Sequence, residues 1–94
     1  MRELVLTAKF RRAYKKIVGR DRRLQKAIDS TLAAMSEDLF APYLGTHKLS
    51  SELHGLWACS SGYDCRIVFT LELNSKTNAE VILLLDLGTH DDVY

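Results

Sequence analysis

Ninety-four residues, 47% of them hydrophobic and 27% charged, make a chain of one domain that can bury a core without disulfide or metal support. The formal charge of +1 conceals a division: residues 1–26 carry ten basic and two acidic side chains, whereas residues 27–94 carry three basic and ten acidic ones. One proline, five glycines and two cysteines exclude a disordered polymer and a disulfide-framework secreted protein.

The longest apolar run, Val81 to Leu85, is too short to cross a bilayer, and Met1 is followed by Arg-Glu rather than by the apolar stretch of a secretion signal. The expectation is a soluble, cytoplasmic chain. A basic half suits an anionic partner, either nucleic acid or an acidic protein segment; solvated helix faces are the plainer alternative.

Glu3-Leu4-Val5-Leu6 reads as a short strand, and Thr7 as the N-cap of a helix in which Phe10, Tyr14, Ile17 and Val18 form one apolar stripe. Lys9, Arg11, Arg12, Lys15 and Lys16 fill its other faces. Gly19 suits the residue after the helix, and Leu24, Ile28, Leu32 and Met35 mark a second helix, so the pair forms an antiparallel hairpin. Residues 36–46, with Pro42 and Gly45, form turns.

Strands follow over Leu56 to Ser61 and Cys65 to Leu73. In the second, Cys65, Ile67, Phe69, Leu71 and Leu73 alternate with Arg66, Val68, Thr70 and Glu72. A hairpin centred on Gly62 sets Cys59 opposite Cys65 and Ser60 opposite Asp64. After a polar turn at Asn74 to Asn78, Val81 to Leu87 reads as a strand buried on both faces, hence interior. The fold class is α+β in the order β-α-α-β-β-β: an antiparallel curved sheet with the helical hairpin packed on one face.

The polar residues near strand ends carry the chemical options. His47 precedes the first late strand, Asp64 and Arg66 lie in the hairpin, and His90, Asp91, Asp92 and Tyr94 follow the interior strand. A His moves protons near neutral pH, an Asp fixes its tautomer or itself carries a proton, and an Arg or second His stabilises a phosphate. Those are the parts of metal-free RNA cleavage. A metal site is disfavoured, because His47, His54, Cys59, Cys65 and His90 match no common zinc spacing. Cys59 and Cys65 read as free, half-buried thiols, His54 as a solvent-facing loop residue and Trp57 as core.

The element order, His-Lys-Leu at 47–49, Leu-Trp-Ala-Cys at 56–59, Tyr-Asp-Cys-Arg-Ile-Val-Phe at 63–69 and Gly-Thr-His-Asp-Asp-Val-Tyr at 88–94 resemble the RelE/ParE superfamily of toxin-antitoxin toxins. Within it they are most similar to the YafQ-like ribosome-dependent endoribonucleases, and the resemblance spans nearly the whole chain as a single RelE-like toxin domain. It implies a toxin that cuts messenger RNA in the ribosomal decoding site, uses no cofactor and is neutralised by a cognate acidic antitoxin.

Carried over by residue, the resemblance makes His90 the C-terminal catalytic His, His47 the upstream His, Asp64 the hairpin Asp and Tyr94 the aromatic that positions a base. Arg66 resembles the strand arginine of RelE proper. Ser60 stands where the YafQ-like proteins have a His, which assigns phosphate stabilisation to Arg66. Lys9, Arg11, Arg12, Lys15, Lys16, Arg20, Arg22 and Arg23 are expected to meet ribosomal RNA or the antitoxin. Two rivals use the same scaffold: a ParE-like gyrase inhibitor without nuclease activity, and a catalytically degenerate antitoxin-binding module.

Overall fold

A computed structural model describes residues 2–49, 55–61 and 65–89. The chain opens with β1 (Glu3–Leu6) and turns directly into α1 (Ala8–Val18). Thr7 makes this junction: its hydroxyl oxygen accepts from the Phe10 amide at 3.2 Å and its hydroxyl proton goes to the Leu84 carbonyl at 2.8 Å. One side chain thus caps the helix and ties it to the sheet.

Gly19, at φ 47°, ends α1 with its amide donating to the Lys15 carbonyl. The second helix, α2 (Arg22–Glu37), starts at Asp21, whose carboxylate accepts from the Leu24 amide at 3.0 Å. Phe10, Val18, Ile28 and Met35 are buried, as the two stripes require. The Tyr14 hydroxyl donates to Asp29 at 2.8 Å, holding α1 to α2 and raising the phenol's pKa. Leu39, Ala41 and Leu44 extend the core through a 3₁₀ turn at Pro42–Leu44.

Four further strands complete the sheet: β2 (His47–Lys48), β3 (Trp57–Ser61), β4 (Cys65–Leu73) and β5 (Glu80–Thr89), in the spatial order β1-β5-β4-β3-β2. The sheet is open and mixed rather than wholly antiparallel, because β1 runs parallel to β5, Glu3 opposite Val81 through Leu6 opposite Leu84. No hairpin joins these two strands, so nothing local forces them antiparallel. The Thr7 amide and hydroxyl, both on the Leu84 carbonyl, fix the direction.

Two expected details are corrected. Ser61 pairs with Cys65, Ser60 with Arg66 and Cys59 with Ile67, two residues away from the register set by a turn centred on Gly62. The connection spans residues 62–64, and a shift of two leaves every side chain on its expected face. Secondly, β5 is interior, but its large buried side chains are the helix-side Ile82, Leu84 and Leu87; Val81, Leu83 and Leu85 are half-buried. Its register against β4 breaks between Val68 and Phe69, where Leu85 is the extra residue of a bulge.

The core lies between the helices and one sheet face, where Cys59, Cys65, Ile67, Phe69, Ile82, Leu84 and Leu87 meet Phe10, Ile28, Met35, Leu39 and Leu44. Each of the larger side chains contributes about 1.5–3 kcal/mol by burial. At one end the Thr31 hydroxyl of α2 bonds the buried Ser61 hydroxyl at 3.0 Å. At the other, half-buried Trp57 stacks on Phe69 with centroids 6.5 Å apart and takes the edge of Phe40 at 5.7 Å, as expected of a core-packed indole. Among the described residues no helix is long and apolar enough to cross a membrane.

Replacing Thr7 by Ala removes the cap and the bond to Leu84 together. Urea unfolding is expected to show a loss of about 1–2 kcal/mol. An unchanged midpoint would mean that water replaces both bonds.

Candidate functional site

Because Ile67 and Phe69 are committed to the core, alternation along β4 sends Arg66 to the face away from the helices. There it lies in a cross-strand row with Ser60 on β3 and Gly88 on β5. Arg66 Nη1 donates to Ser60 Oγ at 2.7 Å, and both side chains are half-buried. Gly88 places no side chain beside the guanidinium. Beyond Ser60 stands Gly45 at φ 60°, where a Cβ would come to 3.7 Å from Ser60 Oγ. The arginine and the serine therefore sit between two glycines, Gly88 buried and Gly45 exposed.

The next row holds His47, Ala58, Val68 and Asp86. Ala58 and Val68 are buried but lie outside the helix-side core, forming an apolar floor between the two polar ends. His47 is exposed, and its Nδ1 is 2.9 Å from the Gly45 carbonyl. A carbonyl only accepts, so Nδ1 carries a proton in this contact, which sets the orientation of the ring. Asp86 accepts from the Leu87 amide at 2.8 Å and ion-pairs with Lys9 at 3.3 Å.

Of the residues singled out in the sequence, His47 and Arg66 fall on this face in adjacent rows. Asp64, His90, Tyr94, His54 and the Gly62 turn lie outside the described residues. The outermost described pair of the β4–β5 ladder is Cys65 with Thr89, so the strand ends from which residues 64 and 90 continue are neighbours. The Ser60–Arg66 contact was missed, because the expected hairpin register set Ser60 against Asp64. A three-residue connection centred on residue 63 would have exposed it.

Neither Cys59 nor Cys65 is in a disulfide, and both are buried rather than half-buried, at 0% and 7% exposure. Burial pushes the Cys59 thiol from its ordinary 9.0 up to about 12. Among the described residues no group of three or more His, Cys, Asp or Glu side chains is arranged to hold a metal ion.

On the opposite layer Lys9, Arg11, Arg12, Lys15, Lys16, Arg20, Arg22 and Arg23 are all exposed. The Lys9–Asp86 pair is the kind of surface bridge that contributes about 0–1 kcal/mol. Between the helices and the end of β1 runs a groove of about 490 Å³ lined by Leu6, Arg11, Tyr14, Lys15, Asp29 and Leu32.

A helical hairpin on one face of a five-stranded mixed sheet, with β5 inserted beside β1, is the fold of the RelE/ParE-type toxins of toxin-antitoxin modules. Among solved structures that share it are a YoeB/ParE toxin from Agrobacterium tumefaciens, with a TM-score of 0.75 at 17% identity over 94% of this chain and 98% of that one. A copper-bound mutant toxin from Helicobacter pylori gives 0.77 at 17% identity with both chains wholly covered. The E. coli DinJ-YafQ toxin-antitoxin complex gives 0.72 at 12% identity, over 99% of this chain and 97% of that one. No family model and no curated protein matches the sequence.

The raised Cys59 pKa has a defined pH signature. The folded state holds the thiol proton more tightly than the unfolded chain, so the contribution is complete below pH 9 and is lost as pH rises toward 12. Urea titrations are expected to show stability falling above pH 9, with a shallower fall in Cys59→Ala. Equal slopes in the two proteins would deny the assignment.

Proposed function

We propose that this chain is the toxin of a toxin-antitoxin module and that it cuts messenger RNA on the ribosome. One observation supports the reading above the others. The strand register aligns Ser60, Arg66 and Gly88, sets His47 in the adjacent row, and brings together the strand ends that lead into residues 64 and 90.

The reaction needs no metal. His90, with Asp64 as its partner or as the opposite member of the pair, moves the protons: one is taken from a 2′-hydroxyl, whose oxygen attacks the adjacent phosphorus, and one is given to the departing 5′-oxygen. The products are a 2′,3′-cyclic phosphate and a 5′-hydroxyl. Arg66 and His47 take the negative charge that gathers on the phosphoryl oxygens, and Tyr94 positions a base. The exposed backbone at Gly45 suits the approach of a ribonucleotide chain to this end of the row.

The basic faces of α1 and α2 serve two anionic partners in turn. Their exposed charge suits ribosomal RNA phosphates, in contacts that weaken as salt rises. The same cations beside the apolar groove suit an acidic antitoxin segment. The protein partner is further supported by DinJ, with which the structurally similar YafQ forms a complex.

Induced expression of wild type, His90→Ala and Arg66→Ala, with mapping of transcript 5′ ends, tests the reading. Wild type is expected to arrest growth and leave cuts in the coding frame. The cuts should vanish in His90→Ala and fall about 100-fold in Arg66→Ala. Arrest without cuts but with supercoiling defects would assign a gyrase inhibitor instead, and absence of arrest a degenerate antitoxin-binding module.

A further inference from the structure

Among the described large apolar and aromatic side chains Tyr43 is the most exposed, at 73%. Phe40, in the same loop, shows what a surface aromatic can do for the fold: it sets its edge on Trp57 and carries the Arg2 guanidinium 5.6 Å from its centroid. Tyr43 has no such duty. Among the described residues its ring meets no other ring or cation and its hydroxyl makes no hydrogen bond. A lone surface aromatic needs no explanation by itself, but the mounting and the place of this one supply a reason.

The ring stands on the 3₁₀ turn Pro42–Leu44, which is braced at both ends. Pro42 fixes its own φ, and Leu44, 2% exposed, is anchored in the core. The Leu44 amide donates to the Ala41 carbonyl at 3.0 Å, the Gly45 amide to the Pro42 carbonyl at 3.2 Å, and the Thr46 hydroxyl to the Leu39 carbonyl at 2.6 Å. With Leu39 and Ala41 also buried, the backbone on either side of Tyr43 is already ordered, so a ligand that meets the ring loses little affinity to ordering it.

The turn also borders the site. Continuing the β2–β3 register from the His47–Ala58 pair by two residues sets Gly45 opposite Ser60, in keeping with the 3.7 Å approach of a Gly45 Cβ to Ser60 Oγ. Gly45 is exposed, and β2 is an edge of the sheet. Tyr43 is two residues beyond this exposed end of the row, at most about 7 Å of chain. No residue from 39 to 46 is charged, so the turn offers a ligand a ring rather than an ion pair.

We propose that Tyr43 is a base-stacking residue: its ring receives one nucleobase of the message, within about two nucleotides of the phosphate at the Ser60–Arg66 row. The assignment rests on the nuclease reading above and deepens it by naming a subsite for the substrate. Every base has a π face, so Tyr43 adds hold rather than sequence recognition, and its hydroxyl is dispensable. It complements the basic helices, whose contacts to phosphates depend on salt.

The test has purified wild type, Tyr43→Phe, Tyr43→Leu and Tyr43→Ala act on ribosomes programmed with a defined message, either intact or lacking one base at each position around the cut in turn. Thermal melts establish that each variant is folded. Tyr43→Ala is expected to raise KM roughly 5- to 100-fold with little change in kcat, and to leave the salt dependence of KM as it is in wild type. Tyr43→Phe should match wild type, whereas Tyr43→Leu, which keeps apolar bulk without a π face, should lose nearly as much as alanine. Removal of the stacked base should cost wild type a similar factor and cost Tyr43→Ala nothing further.

A Tyr43→Ala protein with the KM of wild type, or base deletions that cost it as much as wild type at every position, would overturn the proposal. A leucine that replaces the tyrosine fully would overturn it too and assign the ring to an apolar protein contact. If wild type itself cuts no message, the nuclease reading fails and the stacking role falls with it. If wild type cuts and Tyr43→Ala cuts equally, only the stacking role is lost.

Discussion

Alternation along β4 is the constraint on which the structure rests. Ile67 and Phe69 are wholly buried against the helices, and a strand cannot bury two residues of one parity without turning the intervening ones the other way. Arg66 is therefore delivered to the far face by the burial of its neighbours. A slip of one residue would place the guanidinium in the core and Ile67 in solvent, at a cost of several kcal/mol for the buried charge alone. The position of the charge is specified by packing, before any substrate is considered.

The two layers divide the work. The helices supply the apolar stripes that build the core and, on their outer surface, the basic charge suited to anionic partners. The opposite sheet face carries few side chains with chemistry, kept apart by Ala58, Val68 and glycines. Phe69, stacked under Trp57, and Lys48, over the indole at 5.4 Å, tie β2, β3 and β4 to one another, and the Thr31–Ser61 bond ties β3 to α2. Disturbance on the helix side would thus be felt at Arg66 through the strand it shares with Phe69.

Much of this was legible in the residues. Thr7, Gly19 and the two apolar stripes announce α1 and α2, since caps and periodicity are local signals. The alternation from Cys65 to Leu73 gave both the strand and the face of Arg66. The hairpin register was not legible, because the number of residues in a connection depends on the geometry of residues 62–64, to which strand periodicity is blind. The parallel pairing of β1 with β5 joins segments from opposite ends of the chain and leaves no local mark. For the site, residue types and a family resemblance singled out His47 and Arg66. The bond from Arg66 to Ser60 depends on the register and so stayed hidden, as did Gly45 and Gly88 as its borders.

The place of β5 also has a consequence for how the molecule comes into being. Arg2 and Glu80, bonded across the start of the β1–β5 pairing, are 78 residues apart in sequence. Closure over that span carries a large entropic cost, and non-local pairing of this kind slows folding. During synthesis the helical hairpin emerges long before the strand that must slot between β1 and β4, so its apolar stripes have no finished sheet to rest on. Arg66 likewise lacks its β5 neighbour until Gly88 has been added. A ribosome making this chain has thus translated the message through all of β5 before the sheet can close beside it.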